Sequence, residues 1–508
     1  MKPKFYITTP IYYVNDVPHM GHAYTTLAAD VLARFKRLDG FDVFFLTGTD
    51  EHGQKVEKAA LDAGMDPQAF TDRVSERFRE LTQVMGISND DFIRTTESRH
   101  YAACQELWRR LRANDALYPG HYEGWYAVRD EAFYGEDELT AGPDGIKRAP
   151  SGAPVEWVRE PGWFFRLSAW GERLLAFYDA NPDFIGPAAR RNEVTSFVKS
   201  GLTDLSVSRT SFRWGVPVPD DPAHVMYVWL DALTNYLTAA GWPNDGARAA
   251  FWPASLHLVG KDIVRFHAVY WPAFLMAAGI DPPCRVFAHG WWTVEGQKMS
   301  KSLGNVIDPV SLVATWGLDP VRYFLLREVP FGQDGDFSRS AIARRLNVDL
   351  ANEFGNLAQR VLAFVNRNAG GVVPAVGTLA PDDRALLEAA GALPARLRET
   401  LDAQAFHAAL EAAWGVVRGA NSYIDRNAPW SLRKTDLARM GTVLWTLLEV
   451  IRQLAILLQP FMPGSMAKLL DQLGQGPARD FATLATPIQP GLALPTPAPL
   501  FAKVDAAA

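Results

Sequence analysis

The chain has 508 residues, 48% hydrophobic and 21% charged, enough at roughly 150 residues per domain for about three domains with several buried cores. Its 51 basic and 57 acidic residues give a net charge of -6, which excludes a histone-like polycation and makes any nucleic-acid contact a local one. Two cysteines, Cys104 and Cys284, allow at most one disulfide, cannot build a cysteine-rich zinc site, and fit a reducing cytoplasm.

The first residues, MKPKFYITTPIYYVN, hold no apolar run followed by a small-residue cleavage site, so no removable leader is expected. Residues 4 to 9 form a short β-branched and aromatic run. A Pro18-bounded loop follows, then His19-Met20-Gly21-His22 at the mouth of a segment with Leu27, Val31, Leu32 and Phe35 at helical spacing. Residues 41 to 48 (FDVFFLTG) read as a buried strand, capped by Thr49-Asp50-Glu51-His52-Gly53. Strands alternating with helices predict a Rossmann-like α/β domain with a parallel sheet and ligands at the carboxyl ends of its strands.

That domain is expected over 1–116. The stretch 117–224, dense in Trp, Tyr, Gly and Pro, breaks the alternation and is expected to be an inserted domain. The α/β texture resumes over 225–290, a loop-bearing linker is expected over 291–340, and 341–508 reads as an all-α helical bundle with a Pro-rich tail. In the bundle Phe406, Ala409, Leu410, Ala413, Trp414 and Val417 keep helical spacing, as do Leu444, Leu447, Leu448, Ile451, Ala455 and Leu458. The most apolar pattern, Val443 to Leu458, contains Glu449, Arg452 and Gln453, so no membrane span is expected.

The histidine cluster lies where a strand yields to a helix N-terminus, whose exposed N–H groups and positive dipole end favour phosphate. Taken alone, two such histidines could simply cap the helix. The second motif is Lys298-Met299-Ser300-Lys301-Ser302, two lysines and two hydroxyls after Gly296, a loop suited to polyphosphate and expected to move.

These motifs, with TTPIYYVNDVPHMGHAY, LTGTDEHG, YVWLDA, VGKDIVRFHAVYWPA, HGWWTVEGQKMSKSLGN, ANEFGNLAQR and NAPW, make the whole chain resemble the class I aminoacyl-tRNA synthetases, and among them the methionyl-tRNA synthetases. The resemblance implies that methionine is activated with ATP to methionyl-adenylate and pyrophosphate, then passed to the terminal adenosine of tRNA. It implies that His19, Gly21 and His22 meet the ATP phosphates, that Gly260 and Asp262 serve the ribose side, and that Lys298, Ser300 and Lys301 close over the phosphates. His19, His22, Lys298 and Lys301 are then the catalytic set, and Mg²⁺ accompanies the ATP.

Methionine needs a long apolar slot with aromatic edges near its sulfur. The resemblance assigns that slot to Ile11, Tyr13, Trp229, Ala232, Tyr236, Ile263, Phe266, His267 and Trp271, with Asp50 pairing the substrate ammonium. Leu233 stands where many family members carry proline. The segment 117–224 is also too small to be a convincing editing domain of the kind that isoleucine, valine and leucine enzymes need.

Many family members hold zinc in the insertion. Here Tyr134-Gly135-Glu136-Asp137 and Ala149-Pro150-Ser151-Gly152 stand where paired ligands are expected, so a zinc-free enzyme is expected, with Asp130, Glu131, Glu136, Asp137 and Glu138 a solvated acidic face. Asn356 and Arg360 share a helix face, and Trp430 sits at an interhelical break; the resemblance makes all three anticodon readers. The expected partners are methionine and tRNA(Met), initiator tRNA included, with no obligatory protein partner and a monomeric state. Small adenylyltransferases also carry HxGH but lack a large helical domain, and an RNA-binding protein that has lost catalysis would not be expected to keep both histidines and both loop lysines.

Overall fold

The computed structural model describes residues 2–504 apart from Asn15, Asp16, Pro143, Asp245 and 300–303. Six parallel strands form the central sheet: β1 (Lys4–Tyr13), β2 (Asp42–Asp50), β3 (Asp91–Arg94), β4 (Ile185–Gly186), β5 (Leu256–Gly260) and β6 (Val286–His289). Their spatial order is β3-β2-β1-β5-β6-β4. The order reverses between β1 and β5, and at such a switch point the crevice outside the carboxyl ends of the strands is open to a ligand. Consistent with helices covering both faces, β1 is buried on both sides along most of its length.

Four helices of this half matter for the site: α1 (Met20–Leu38), α2 (Gln54–Asp62), α3 (Ser98–Ala113) and α4 (Val228–Ala239). Helix α4 is buried at every residue, which its apolar sequence requires.

The expectation for 117–224 needs a correction. Its β-rich part forms a sheet of its own: Leu117–Ala127 and Glu156–Phe165 pair antiparallel from Leu117↔Phe165 to Tyr126↔Glu156, with Ala132–Tyr134 and Leu205–Ser206 at the edges. Yet β4, inside the same stretch, is the edge strand of the parallel sheet. The helices around it, Gly171–Ala180 and Ala188–Lys199, bury Leu174, Tyr178, Val194 and Val198 in one cluster with Trp271 and Phe274. A two-residue strand carries no readable periodicity, so its membership is decided by the neighbour that supplies its hydrogen bonds.

The C-terminal bundle consists mainly of α5 (Asn356–Asn368), α6 (Pro381–Asp402), α7 (Phe406–Asn427) and α8 (Leu437–Leu458). Helix α8 is apolar and long enough by composition to span a bilayer, but it is the buried centre of the bundle and contains the Glu449–Arg452 ion pair at 2.8 Å. The Pro-rich tail packs back: Val373 N–H donates to Leu492 O, and Asn347 exchanges two hydrogen bonds with the Val504 backbone. Arg322 ties the halves together. Fully buried, it donates to Asp30 of α1 at 2.7 Å and to the carbonyls of Met85, Pro460 and Phe461.

Candidate active site

Helix α1 begins with a reciprocal cap built from histidines. His19 Nδ1 accepts the Gly21 N–H at 3.0 Å, and His22 Nδ1 accepts the His19 N–H at 3.1 Å. With both Nδ1 atoms accepting, the ring protons are assigned to Nε2, the group able to donate to a phosphate oxygen. Burial and the adjacent His19 push His22 well below the ordinary histidine value, which keeps it a neutral acceptor. Capping and phosphate binding are therefore compatible uses of different ring atoms. A Cβ at Gly21 would lie 2.9 Å from the His19 ring, so glycine is what lets the two rings fold over the helix end.

Next to this helix end, the residues expected to form the apolar slot converge. Tyr13 and Asp50 are neighbours in the β1–β2 register, as are Ile11 and Gly48. Trp229 stacks on Phe266 with centroids 3.8 Å apart, and its ring meets Tyr13 at 6.5 Å and His267 at 6.0 Å, both edge-on. Tyr236 is 6.1 Å from Trp271, and its hydroxyl lies 2.8 Å from His267 Nε2. His267 Nδ1 lies 3.0 Å from Ile263 O, so Nδ1 carries the proton and Tyr236 donates to Nε2. Burial holds His267 down to about 4. Ala232 and Leu233 are buried on the same helix, and a π-helical stretch over Phe266–Tyr270 sets the spacing of Phe266 and His267.

The polar atoms left over mark the site. Asp50 Oδ1, the Tyr13 hydroxyl, and the ring N–H groups of Trp229 and Trp271 are buried with no partner. Unsatisfied buried groups are costly, so several in one cluster identify a place completed by a ligand. Burial, reinforced by the nearby Asp231 and Glu131 carboxylates, pushes Asp50 well above the usual carboxylate range, as expected where a counter-cation is supplied from outside.

On the other side of the switch point, Gly260 ends β5 and leaves room for Asp262, whose Oδ1 would collide with a Cβ there at 2.5 Å. Asp262 Oδ1 accepts the Trp291 indole N–H at 3.2 Å. Lys298 is exposed, with Nζ 5.2 Å from the Trp291 ring centroid. Ser300 and Lys301 lie outside the described residues.

In the bundle, Asn356 is exposed at the start of α5, and Arg360 of the same helix pairs with Asp425 at 2.8 Å. Trp430 is the second residue of the short helix Pro429–Thr435, which follows Ala428, a left-handed residue that breaks the chain direction, and it is 41% exposed. Arg360 lies 5.7 Å from the Trp430 ring, so two residues 70 positions apart (430 minus 360) meet on one surface.

Sequence reasoning missed a buried network. Asp231 of α4 accepts from His52 Nδ1 and from His100 Nε2 of α3, both at 2.7 Å, and these partners outweigh burial to hold it at about 2. Cys104 Sγ is 3.2 Å from His100 Nε2. His100, Cys104 and Asp231 are near enough to hold a metal, but their atoms are already engaged with one another. His257, stacked on Tyr236 at 4.1 Å and opposite Thr8 in the β1–β5 register, was also missed, because that register exists only in the folded sheet.

The acidic-face expectation fails at one residue. Asp137 and Glu138 are exposed or half-exposed, but Glu131 is 1% exposed and hydrogen-bonded. Alternating charges in a sequence do not tell which one a tertiary contact will cover.

Comparison with known proteins agrees with this geometry. The family model described as tRNA synthetases class I (M) matches residues 5–362, and that of the anticodon binding domain of methionyl tRNA ligase matches 373–508. A methionine–tRNA ligase of Mesorhizobium japonicum is 57% identical over 99% of this chain and 98% of its own. One from Rickettsia felis is 59% identical over 93% of each. The structure of Mycobacterium tuberculosis methionyl-tRNA synthetase in complex with methionyl-adenylate superposes with a TM-score of 0.97 at 55% identity, covering 99% of this chain and all of that one. By fold, motifs and relatives, the chain belongs to the methionyl-tRNA synthetases, class I ligases that join methionine to tRNA.

Proposed function

We propose that the aromatic cluster at the β1–β5 switch point is the methionine pocket of this ligase and that the helix end beside it takes the ATP phosphates. Methionine enters between Trp229, Tyr236, His267 and the Tyr13 edge, with Ile11, Ala232, Ile263, Phe266 and Trp271 completing the walls. Its ammonium pairs with Asp50. The carboxylate then attacks the α-phosphate of ATP and pyrophosphate departs. His19 and His22 donate through Nε2 to the phosphates, Gly21 lets them approach, Gly260 and Asp262 serve the ribose, and Lys298, Ser300 and Lys301 approach from the loop. Such a transfer needs positioning and cations in a dry site rather than a covalent nucleophile. Mg²⁺ would accompany the nucleotide. The observation that carries this reading is the group of buried unpartnered polar atoms, Asp50 Oδ1 foremost.

Methionine-dependent ATP–pyrophosphate exchange tests it. Asp50→Asn is expected to raise the methionine KM by about 100-fold with the ATP KM nearly unchanged, and Asp262→Asn to do the reverse. An unchanged methionine KM in Asp50→Asn would remove the ammonium site from this cluster.

The tRNA enters as second substrate, with Asn356, Arg360 and Trp430 reading anticodon bases; the pairing of Trp430 with Arg360 on an exposed face supports this. Initiator tRNA is included among the substrates, and the enzyme works as a cytoplasmic monomer. We also propose that no structural zinc is needed. The stretches 134–137 and 149–152 offer no cysteine or histidine. Elemental analysis should find no stoichiometric zinc, and activity after chelation should return on adding Mg²⁺ alone.

A further inference from the structure

We propose that Glu131, carried by the inserted region, is a positioning residue for the methionine ammonium site: it caps α2 from outside and thereby holds the turn on which Asp50 stands. This rests on the reading of Asp50 as the ammonium partner.

Strand β2 ends at Asp50, and α2 starts only four residues later at Gln54. The helix has Gly53 as its N-cap residue, with no side chain of its own to satisfy the first N–H groups. Glu131 supplies that acceptor. Its Oε1 takes the Lys55 N–H at 3.1 Å, at the positive end of the helix where a carboxylate is favoured. The fit is close, because a Cβ at Gly53 would lie 2.7 Å from Oε1, and Gly53 itself has a φ of +104°, which favours glycine.

Glu131 is in turn held from three sides. Tyr126 donates to its Oε2 at 3.0 Å, Tyr227 donates to its carbonyl at 2.9 Å, and its backbone is left-handed at φ +50°. Such a backbone in a non-glycine residue persists only where surroundings over-determine it. The returning end of the inserted stretch grips the same turn: Gly53 N–H donates to Trp214 O at 3.0 Å, the Trp214 indole donates to Glu51 O, and Glu57 accepts from the N–H groups of Arg213 and Trp214. Asp50 is thus fixed on the sheet side by its register with Tyr13 and on the loop side by the inserted region.

Pyrophosphate exchange, which needs no tRNA, tests this with Glu131→Ala, Glu131→Gln and Asp50→Asn, each beside a thermal unfolding scan. Glu131→Ala is expected to raise the methionine KM about tenfold while the ATP KM stays within about twofold, with the unfolding midpoint lowered by only the few degrees that one lost helix cap costs. In Glu131→Gln the amide oxygen still accepts the Lys55 N–H and the amide nitrogen can donate to Tyr126, so the methionine KM should return to within about threefold of wild type. The proposal is overturned by an unaltered methionine KM in Glu131→Ala, by parallel rises in both KM values or a collapse of stability, or by Glu131→Gln failing to rescue. If Asp50→Asn raises the methionine KM and Glu131→Ala does not, only the positioning role falls. If Asp50→Asn also leaves it unaltered, the ammonium reading beneath it is wrong.

Discussion

Trp430 shows what one side chain is free to do. An indole 41% exposed gives little to the core, so its removal should cost the fold little, whereas losing one base–aromatic stack costs about 1–3 kcal/mol. Trp430→Ala should therefore lower kcat/KM for aminoacylation of tRNA by roughly 10- to 100-fold, with pyrophosphate exchange and the unfolding midpoint near wild type. Joint loss of exchange and stability would return Trp430 to the core. His267 is the opposite case. Burial holds it at about 4 in the folded protein against an ordinary value near 6.5, so below pH about 6.5 the unfolded chain takes up a proton that the folded one refuses. Its contribution to stability is complete above that pH and is lost as the pH falls toward about 4. Thermal unfolding from pH 7.5 to 4.5 should show a shallower acid decline in His267→Gln than in wild type; equal slopes would mean that His267 protonates without penalty.

Among the elements, α1 is proposed to use one turn for two purposes, its own cap and a phosphate site. His19 Nδ1 accepts the Gly21 N–H and His22 Nδ1 accepts the N–H of the cap residue His19, and neither bond uses the opposite ring edges. A substitution that keeps the cap and removes the Nε2 donor separates the two. His22→Asn, whose side-chain oxygen can still accept the His19 N–H, should unfold within a few degrees of wild type yet exchange pyrophosphate about 100-fold more slowly. His22→Ala should lose the cap as well and unfold earlier. If His22→Asn retains full exchange, the histidine is only a cap. The π-helical stretch over Phe266–Tyr270 works similarly, since a regular helix would not present Phe266 to Trp229 and His267 to Tyr236 with the same spacing.

Across the whole molecule, Arg322 joins the sheet domain to the bundle. Its guanidinium uses Nε and both terminal nitrogens on Asp30, Met85, Pro460 and Phe461, so α1, with His19 and His22 at its start, is anchored at Asp30 to the corner following α8. Without Arg322 the carbonyls of Met85, Pro460 and Phe461 lose their buried donor, while Asp30 keeps Arg34 at 2.7 Å and Ser88, so the cost should fall below the roughly 3–5 kcal/mol of leaving a buried charge wholly unpaired. Arg322→Met should lower the calorimetric unfolding midpoint by several degrees, and Arg322→Lys should not restore it, since an ammonium cannot reach four acceptors set out for a planar fork. A fully stable Arg322→Lys would show that charge alone suffices.

The sequence by itself determined the family, the split α/β architecture and the helical bundle, because these rest on local signals: strand and helix periods, glycine beside paired histidines, and motifs whose order along the chain is readable. Motif identity rather than any period also singled out the aromatic residues that the fold gathers beside β1 and α4, Tyr13, Trp229, Tyr236, Phe266, His267 and Trp271 among them. Tertiary structure alone decided the rest. Ile185–Gly186 became a sheet strand because Val286–His289 offered it hydrogen bonds. Glu131 left the acidic surface because the open end of α2 and the Tyr126 hydroxyl surround it. Asp231 became a buried anion because His52 and His100, far apart in sequence, both reach it. In each case the energy lies in a contact between distant residues, and burial rather than residue type fixes what a charged side chain does.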